Sequence, residues 1–271
     1  MNILKALNFE YDGILASDYG FLPCSFNNES IQTIDYGSKI NFDIVSIQNG
    51  KTFALVNSSY EEANEFTFQI CKNYCHNEEN YYFTTEEQRF IYRWLNRNDG
   101  FHKLKIFEKD FGVIIFDGSF NISAIELDGK VIGFELTFTM GKPFATQECR
   151  KITHEFLSNN DELNIVDFSD NIGYIYPELK ITCKSDGDLK IYNSIENRMT
   201  VIKNCKSGEV ITFDENLNIQ TSLSSHKIYN DFNFIFFRIA NTYLNKKNLI
   251  TVNIPCEITI EYYPIVKGVG L

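Results

Sequence analysis

From Ile132 through Phe134, Leu136, Phe138 and Met140 every second side chain is apolar, and the run Ile122 to Leu127 precedes it across Asp128 and Gly129. A period of two belongs to a strand with one buried face, and Asp-Gly suits a type I′ turn, so residues 121–140 predict a two-stranded hairpin. Ile40, Phe42 and Ile44 alternate in the same way, as do Phe66, Phe68 and Ile70. Shorter apolar runs at Phe53–Val56, Leu104–Ile106 and Val113–Phe116 predict further strands, and the first 140 residues read as a β-sandwich or barrel. One helix interrupts them. Thr84 followed by Glu87 forms a capping box, and Phe90, Ile91, Trp94 and Leu95 share one helical face before Asn98-Asp99-Gly100 ends it. That spacing places Trp94, the only tryptophan, in the core. Arg89, Arg93 and Arg97 recur every fourth residue on a neighbouring face, either to dock on acidic groups of a partner subunit or as a solvated stripe.

Gly141 and Pro143 close the alternating ribbon, and a new β pattern begins at Ile152, which sets a boundary between Pro143 and Lys151. The expected domains are 1–145 and 150–271. Within the second, Leu163–Val166, Pro177–Cys183, Leu189–Ile195, Met199–Lys203, Val210–Phe213, Asn218–Gln220, Phe234–Ile239 and Thr251–Tyr262 predict about eight short strands separated by turns at the spacing of a β-sandwich.

Composition agrees with this pattern. The 271 residues fit two compact units at about 150 residues each. Aromatics make up 15% of the chain and there are only seven alanines, which excludes a helical bundle. No apolar stretch approaches the roughly 20 residues of a membrane span, so a soluble protein is expected. The opening Met1–Lys5 leads into Asn8, Glu10 and Asp12 rather than a secretory core, which predicts cytoplasmic synthesis. The net charge is −11, and the acid is concentrated ahead of Pro143, where 12 basic residues face 20 acidic ones. With no basic block, direct binding to nucleic acid or to an anionic membrane is not expected. Seven scattered cysteines, an odd number, point to reduced and mostly packed thiols.

Candidate chemistry is sparse. Cys71, Cys75 and His76 lie within six residues, but a structural zinc site needs four ligands and no second pair is close in sequence. There is no nucleophile elbow, and the glycines are dispersed as turn residues rather than gathered into a phosphate loop. No cofactor is expected. Paired carboxylates for glycoside hydrolysis have no motif that would reveal them. Sugar binding would want a stacking aromatic, and the second half offers Tyr174, Tyr176, Tyr229 and Tyr243 but no Trp; the same tyrosines also read as ordinary sandwich aromatics.

The order of elements resembles that of the distal tail proteins of siphovirus-type bacteriophages. Leu7 to Phe21, with its turn glycine and Ser17-Asp18-Tyr19-Gly20, is similar to the family's opening. The capped helix, the Leu127-Asp128-Gly129-Lys130 turn and Lys142-Pro143-Phe144 are similar to the end of its first domain, and Ile172 to Ile181 to the entry of its galectin-like second domain. The resemblance covers the whole chain and implies a structural protein without enzymatic activity. It implies a homo-hexameric ring at the virion tail tip, built by the first domain in the host cytoplasm. That ring would join the tail tube protein to the tail-associated hub protein, with the second domain as a platform for receptor-binding or other baseplate proteins. This chain has no room for inserted carbohydrate-binding modules. The segment Asn27 to Gly37, polar with Ile31, Ile34 and Tyr36 as apolar anchors, reads either as an arm crossing to a neighbour or as an exposed loop. A free-standing lectin-like sandwich and a hydrolase are the competing functions.

Overall fold

The structure is a computed structural model that describes residues 6–26, 39–47, 50–60, 64–73, 81–109, 112–158 and 160–267. The chain divides into two compact units, Met1–Gln147 with Val266–Leu271, and Glu148–Ile265. The sequence assigns all of 150–271 to the second unit, whereas Val266 belongs to the first and is 2% exposed in its core. Lys267 secures the return, its Nζ donating to Tyr60 Oη at 2.8 Å and lying 5.0 Å from the Phe144 ring centre.

The first unit opens with β1 (Ala6–Tyr11), β2 (Ile14–Leu15), a 3-10 turn (Ala16–Tyr19) and β3 (Phe21–Cys24). There follow β4 (Ile40–Ile47), β5 (Thr52–Tyr60), β6 (Glu65–Lys72), α1 (Thr85–Leu95), β7 (His102–Glu108), β8 (Gly112–Leu127), β9 (Lys130–Met140) and β10 (Ala145–Thr146). The sheet runs β2-β1-β7-β8-β9-β6-β3, with β10 beside β8. The 121–140 hairpin is present: Leu127 faces Lys130, and both Asp128 (φ 51°) and Gly129 (φ 73°) take the left-handed conformation of a type I′ turn. Three strands separate β1 from β6 in the sheet, yet Phe9 and Phe68 meet edge to face with centroids 5.4 Å apart. The sheet therefore curls around an aromatic core, in which Phe120 also touches Tyr11 at 5.0 Å and Phe138 at 4.8 Å.

One position makes the curl feasible. β8 pairs with β7 over Gly112–Gly118 and with β9 over Gly118–Leu127. At the change of partner, a Cβ on Gly118 would stand 2.2 Å from the Thr139 carbonyl oxygen and 2.6 Å from the Phe138 ring. The Tyr11 hydroxyl donates to the Gly118 carbonyl at 3.3 Å. Helix α1 closes the core from outside the sheet. Its capping box is complete, with Glu87 N donating to Thr84 Oγ1 at 3.3 Å and Thr84 N donating to Glu87 Oε2 at 2.7 Å. Glu87 also accepts from the buried Lys72 Nζ at 2.7 Å, fastening the helix start to β6. Trp94 is 4% exposed, stacks on Phe9 at 5.6 Å and donates Nε1 to the Tyr11 carbonyl at 3.0 Å.

The second unit contains β11 (Arg150–Phe156), β12 (Glu162–Val166), β13 (Gly173–Ile175), β14 (Glu178–Cys183), β15 (Gly187–Asn193), β16 (Arg198–Cys205), β17 (Val210–Phe213) and β18 (Ile219–Thr221). It ends with α2 (Ile228–Asp231), β19 (Ile239–Asn241), β20 (Lys247–Val252) and β21 (Cys256–Tyr262). Two sheets, β11-β21-β14-β17-β18 and β12-β20-β15-β16, supply alternate residues to one core, and β13 pairs with β19. This is a β-sandwich. Two expected strands are corrected. Thr251–Tyr262 is not continuous: it breaks at Asn253–Pro255, where Asn253 accepts from Lys190 N at 2.6 Å, and its halves join different sheets. Phe234–Ile239 is strand only at Ile239, because Asn233 Oδ1 accepts from both Val201 N and Ile235 N at 3.1 Å and Phe234 turns to φ 56°.

A buried charge cluster ties α2 to this sandwich. Glu209 is fully buried, accepting from Thr221 Oγ1 and standing 2.6 Å from His226 Nδ1. His226 Nε2 lies 3.3 Å from Asp231 on α2. Burial works against the imidazolium, but the Glu209 hydrogen bond and charge, helped by Cys205 and Asp231, hold the His226 pKa above its ordinary value.

Three outcomes are expected. Trp94→Ala should lower the stability of the first unit by about 3–5 kcal/mol in urea titrations, and Trp94→Phe by less, since only the hydrogen bond and part of the ring are lost. Gly118→Ala, the smallest addition to the chain, should cost more than a typical surface change of about 0.5 kcal/mol, because both neighbours it meets are fixed; a silent substitution would refute Gly118 as the position that permits the curl. A group with a raised folded pKa stabilises fully below its unfolded value and loses that contribution as pH rises through the folded one. The second unit's urea midpoint should therefore fall as the pH rises above the ordinary imidazole range, and His226→Gln should flatten that slope. An identical slope in both proteins would exclude His226 as its source.

Candidate assembly surface

β4 and β5 form a two-stranded sheet of their own among the described residues, rather than joining the barrel as their alternation suggests. Ile40 faces Tyr60, Phe42 faces Ser58 and Asp43 faces Asn57, but the next pair is Ile44 with Leu55, and two residues further Ser46 faces Phe53. The register skips one residue on β5, a β-bulge at Val56. That skip has a purpose legible in the side chains: it resets the parity of β5 so that Phe53 and Leu55 lie on the same face as Ile40, Phe42 and Ile44. Without it, the two apolar sets would point to opposite sides.

Nothing in the described structure covers this face. Phe42 is 57% exposed, Ile44 58%, Leu55 59% and Phe53 71%. Val45 and Ile47, on the reverse side, are also exposed. An isolated hairpin is marginal in water, and a contiguous apolar face of this kind marks an interaction surface. Covering the exposed half of each large side chain would contribute about 1 kcal/mol apiece. Among the described residues the hairpin is anchored at its base, where the half-buried Tyr60 ring meets Phe144 edge to face at 4.6 Å.

The arginine row divides. Arg89 and Arg93 are exposed on α1, but the helix stops at Leu95 and the cap residue Asn96 takes ψ 84°, so Arg97 leaves the helical face. Arg97 instead bonds Asp12 and Asp99 of its own chain, with Nε donating to Asp99 Oδ1 at 3.0 Å, and His102 Nε2 stands 2.9 Å from the same oxygen. The Arg97 and His102 contacts hold the Asp99 carboxyl well below the usual carboxylate range. Ile31, Ile34 and Tyr36 lie outside the described residues, as do Cys75 and His76. Among the described residues no group of three His, Cys, Asp or Glu side chains could hold a metal ion. Of the tyrosines considered for sugars, Tyr174 carries the Arg238 guanidinium 3.6 Å above its ring, while Tyr229 and Tyr243 are exposed. The apolar hairpin itself escaped the sequence reading as a site. Its signal was the density of apolar residues in Ile40–Ile47 and Phe53–Val56, on both sides of the pleat instead of one.

No curated protein matches the chain. Among solved structures it is similar to the crystal structure of the SPP1 Dit (gp 19.1) protein, described as a paradigm of the hub adsorption apparatus in phages infecting Gram-positive bacteria. The TM-score is 0.63 at 10% sequence identity, covering 94% of this chain and 98% of that one. The two share a fold. A family model for a phage tail protein N-terminal domain matches residues 4–141, and a model for a phage tail C-terminal domain matches residues 144–262. With both halves matched in order and with a Dit-like pair of β domains, the chain belongs to the phage tail protein family and is a structural component of a phage tail.

Proposed function

We propose that this protein forms a hexameric ring at the tail tip, joining the tail tube to the hub and carrying receptor-binding or other baseplate proteins on its second unit. The observation that carries the ring is the bare apolar hairpin. A second copy of the chain is its occupant: a hairpin projecting from one protomer onto a different surface of the next makes a heterologous contact, and such contacts close into a ring when the rotation permits. The fold likeness to a hub protein supports the same placement. Enzymatic activity has no part in this role, and assembly in the host cytoplasm accords with the free, partly exposed cysteines.

The acidity of the first unit bears on what passes through such a ring. Its negative charge, repeated around the opening, repels a phosphate backbone, so a duplex is conducted rather than gripped. The intramolecular engagement of Arg97 removes one of the three arginines otherwise available to hold DNA.

Native mass spectrometry of the full chain should show six copies. Phe42→Asp with Leu55→Asp should leave a folded monomer with unchanged circular dichroism, since both side chains are already in water in the protomer. A wild-type monomer at micromolar concentration, or a double variant that still assembles, would refute the hairpin as the joining element.

A further inference from the structure

Two thiols stand together on the edge pair of strands β3 and β6. Cys24 ends β3 and Cys71 lies in β6, antiparallel neighbours in which Leu22 faces Cys71 and Cys24 faces Gln69. Residues two apart in a strand share a face, so both sulfurs lie on the same side of the sheet, and they are hydrogen-bonding partners. Both are half-buried and line one open cavity of about 210 Å³ with Phe26, Lys72, Tyr81 and Ile132. Cys183 and Cys205 in the second unit are also partners, but they are sealed at 1% and 0% exposure. Of these two pairs among the described residues, the first is open to a reagent.

We propose that Cys24 and Cys71 are a redox-closable pair, which a low-molecular-weight disulfide converts to an intramolecular disulfide that ties β3 to β6. The Cys71 thiolate attacks one sulfur of glutathione disulfide, forming a mixed disulfide and releasing one glutathione thiolate. Cys24 gives up its proton to water and attacks the Cys71 sulfur, releasing the second glutathione. Two protein thiols are oxidised and one glutathione disulfide is reduced to two thiols. The order of attack follows from their contact: the Cys24 thiol donates to Cys71, which lowers the Cys71 pKa and raises that of Cys24. β3 ends the sheet order and is bonded on one side, so it can draw toward β6 as the contact shortens to an S–S bond of about 2 Å. The closed loop takes in residues 25–70, both hairpin strands included. The pair lies within one protomer, so this site stands apart from the ring proposal.

The test incubates the full chain with millimolar glutathione disulfide, blocks remaining thiols and maps the unreduced peptides by mass spectrometry. The expected product is a Cys24–Cys71 cross-linked peptide two hydrogens lighter than the reduced pair, with glutathione on the exposed Cys149. Oxidation should raise the first thermal midpoint by about 5 °C or more in the wild type and leave Cys24→Ser unmoved, with glutathione retained on Cys71 in that variant. A persistent glutathione adduct on Cys71 of the wild type, a Cys71–Cys75 link, prior closure of Cys183–Cys205, or a Cys24–Cys71 bond that leaves the midpoint unchanged would each overturn the proposal.

Discussion

The first unit depends on an absence. The close approach of Gly118 to Phe138 and the Thr139 carbonyl lets a single long strand serve β7 with one half and β9 with the other. The sheet can then curl far enough for Phe9 and Phe68 to meet, and the aromatic cluster fills the interior that results. Trp94 rests on this arrangement at second hand, stacking on Phe9 and bonding the backbone of Tyr11, while the Tyr11 side chain reaches Gly118. Chain geometry at one residue, aromatic packing and helix docking are therefore one cooperative assembly.

The two units solve burial differently. The first fills its core with interlocking rings, whose edge-to-face contacts add to area burial. The second relies mainly on branched aliphatics from two sheets and buries a polar network among them. Asn248, fully buried, donates to the Ala240 carbonyl at 2.9 Å and accepts from Asn193 Nδ2 at 2.8 Å and Ala240 N at 2.8 Å. Such networks act as alignment pins, since a shifted register would strand them without partners.

Local signals in the sequence were legible because their physics is local. Asp128-Gly129 specifies its turn through two positive φ angles, and Thr84 with Glu87 caps α1 through contacts three residues apart. Alternation identified the strands but not their partners: Ile40–Ile44 and Phe66–Ile70 share one pattern, yet one leaves the sheet and the other sits inside it. The exposed apolar hairpin was hidden for the same reason, because a buried and an unpartnered strand are written alike. Arg97 illustrates the limit of periodicity, as a spacing of four outlived the helix that gave it meaning. The Cys24–Cys71 contact spans too much chain for any local rule, and Val266 carries no mark of the core it rejoins.

That return has a mechanical side. The chain leaves the first unit after Gln147 and re-enters it at Val266, so two peptide strands connect the units. A single linker behaves as a swivel, since rotation about its bonds transmits no torque. A pair of strands winds around itself when turned, resisting torsion and dividing any axial pull between them. A load applied to the second unit thus reaches the first at both Gln147 and Val266, and neither strand alone has to bear it.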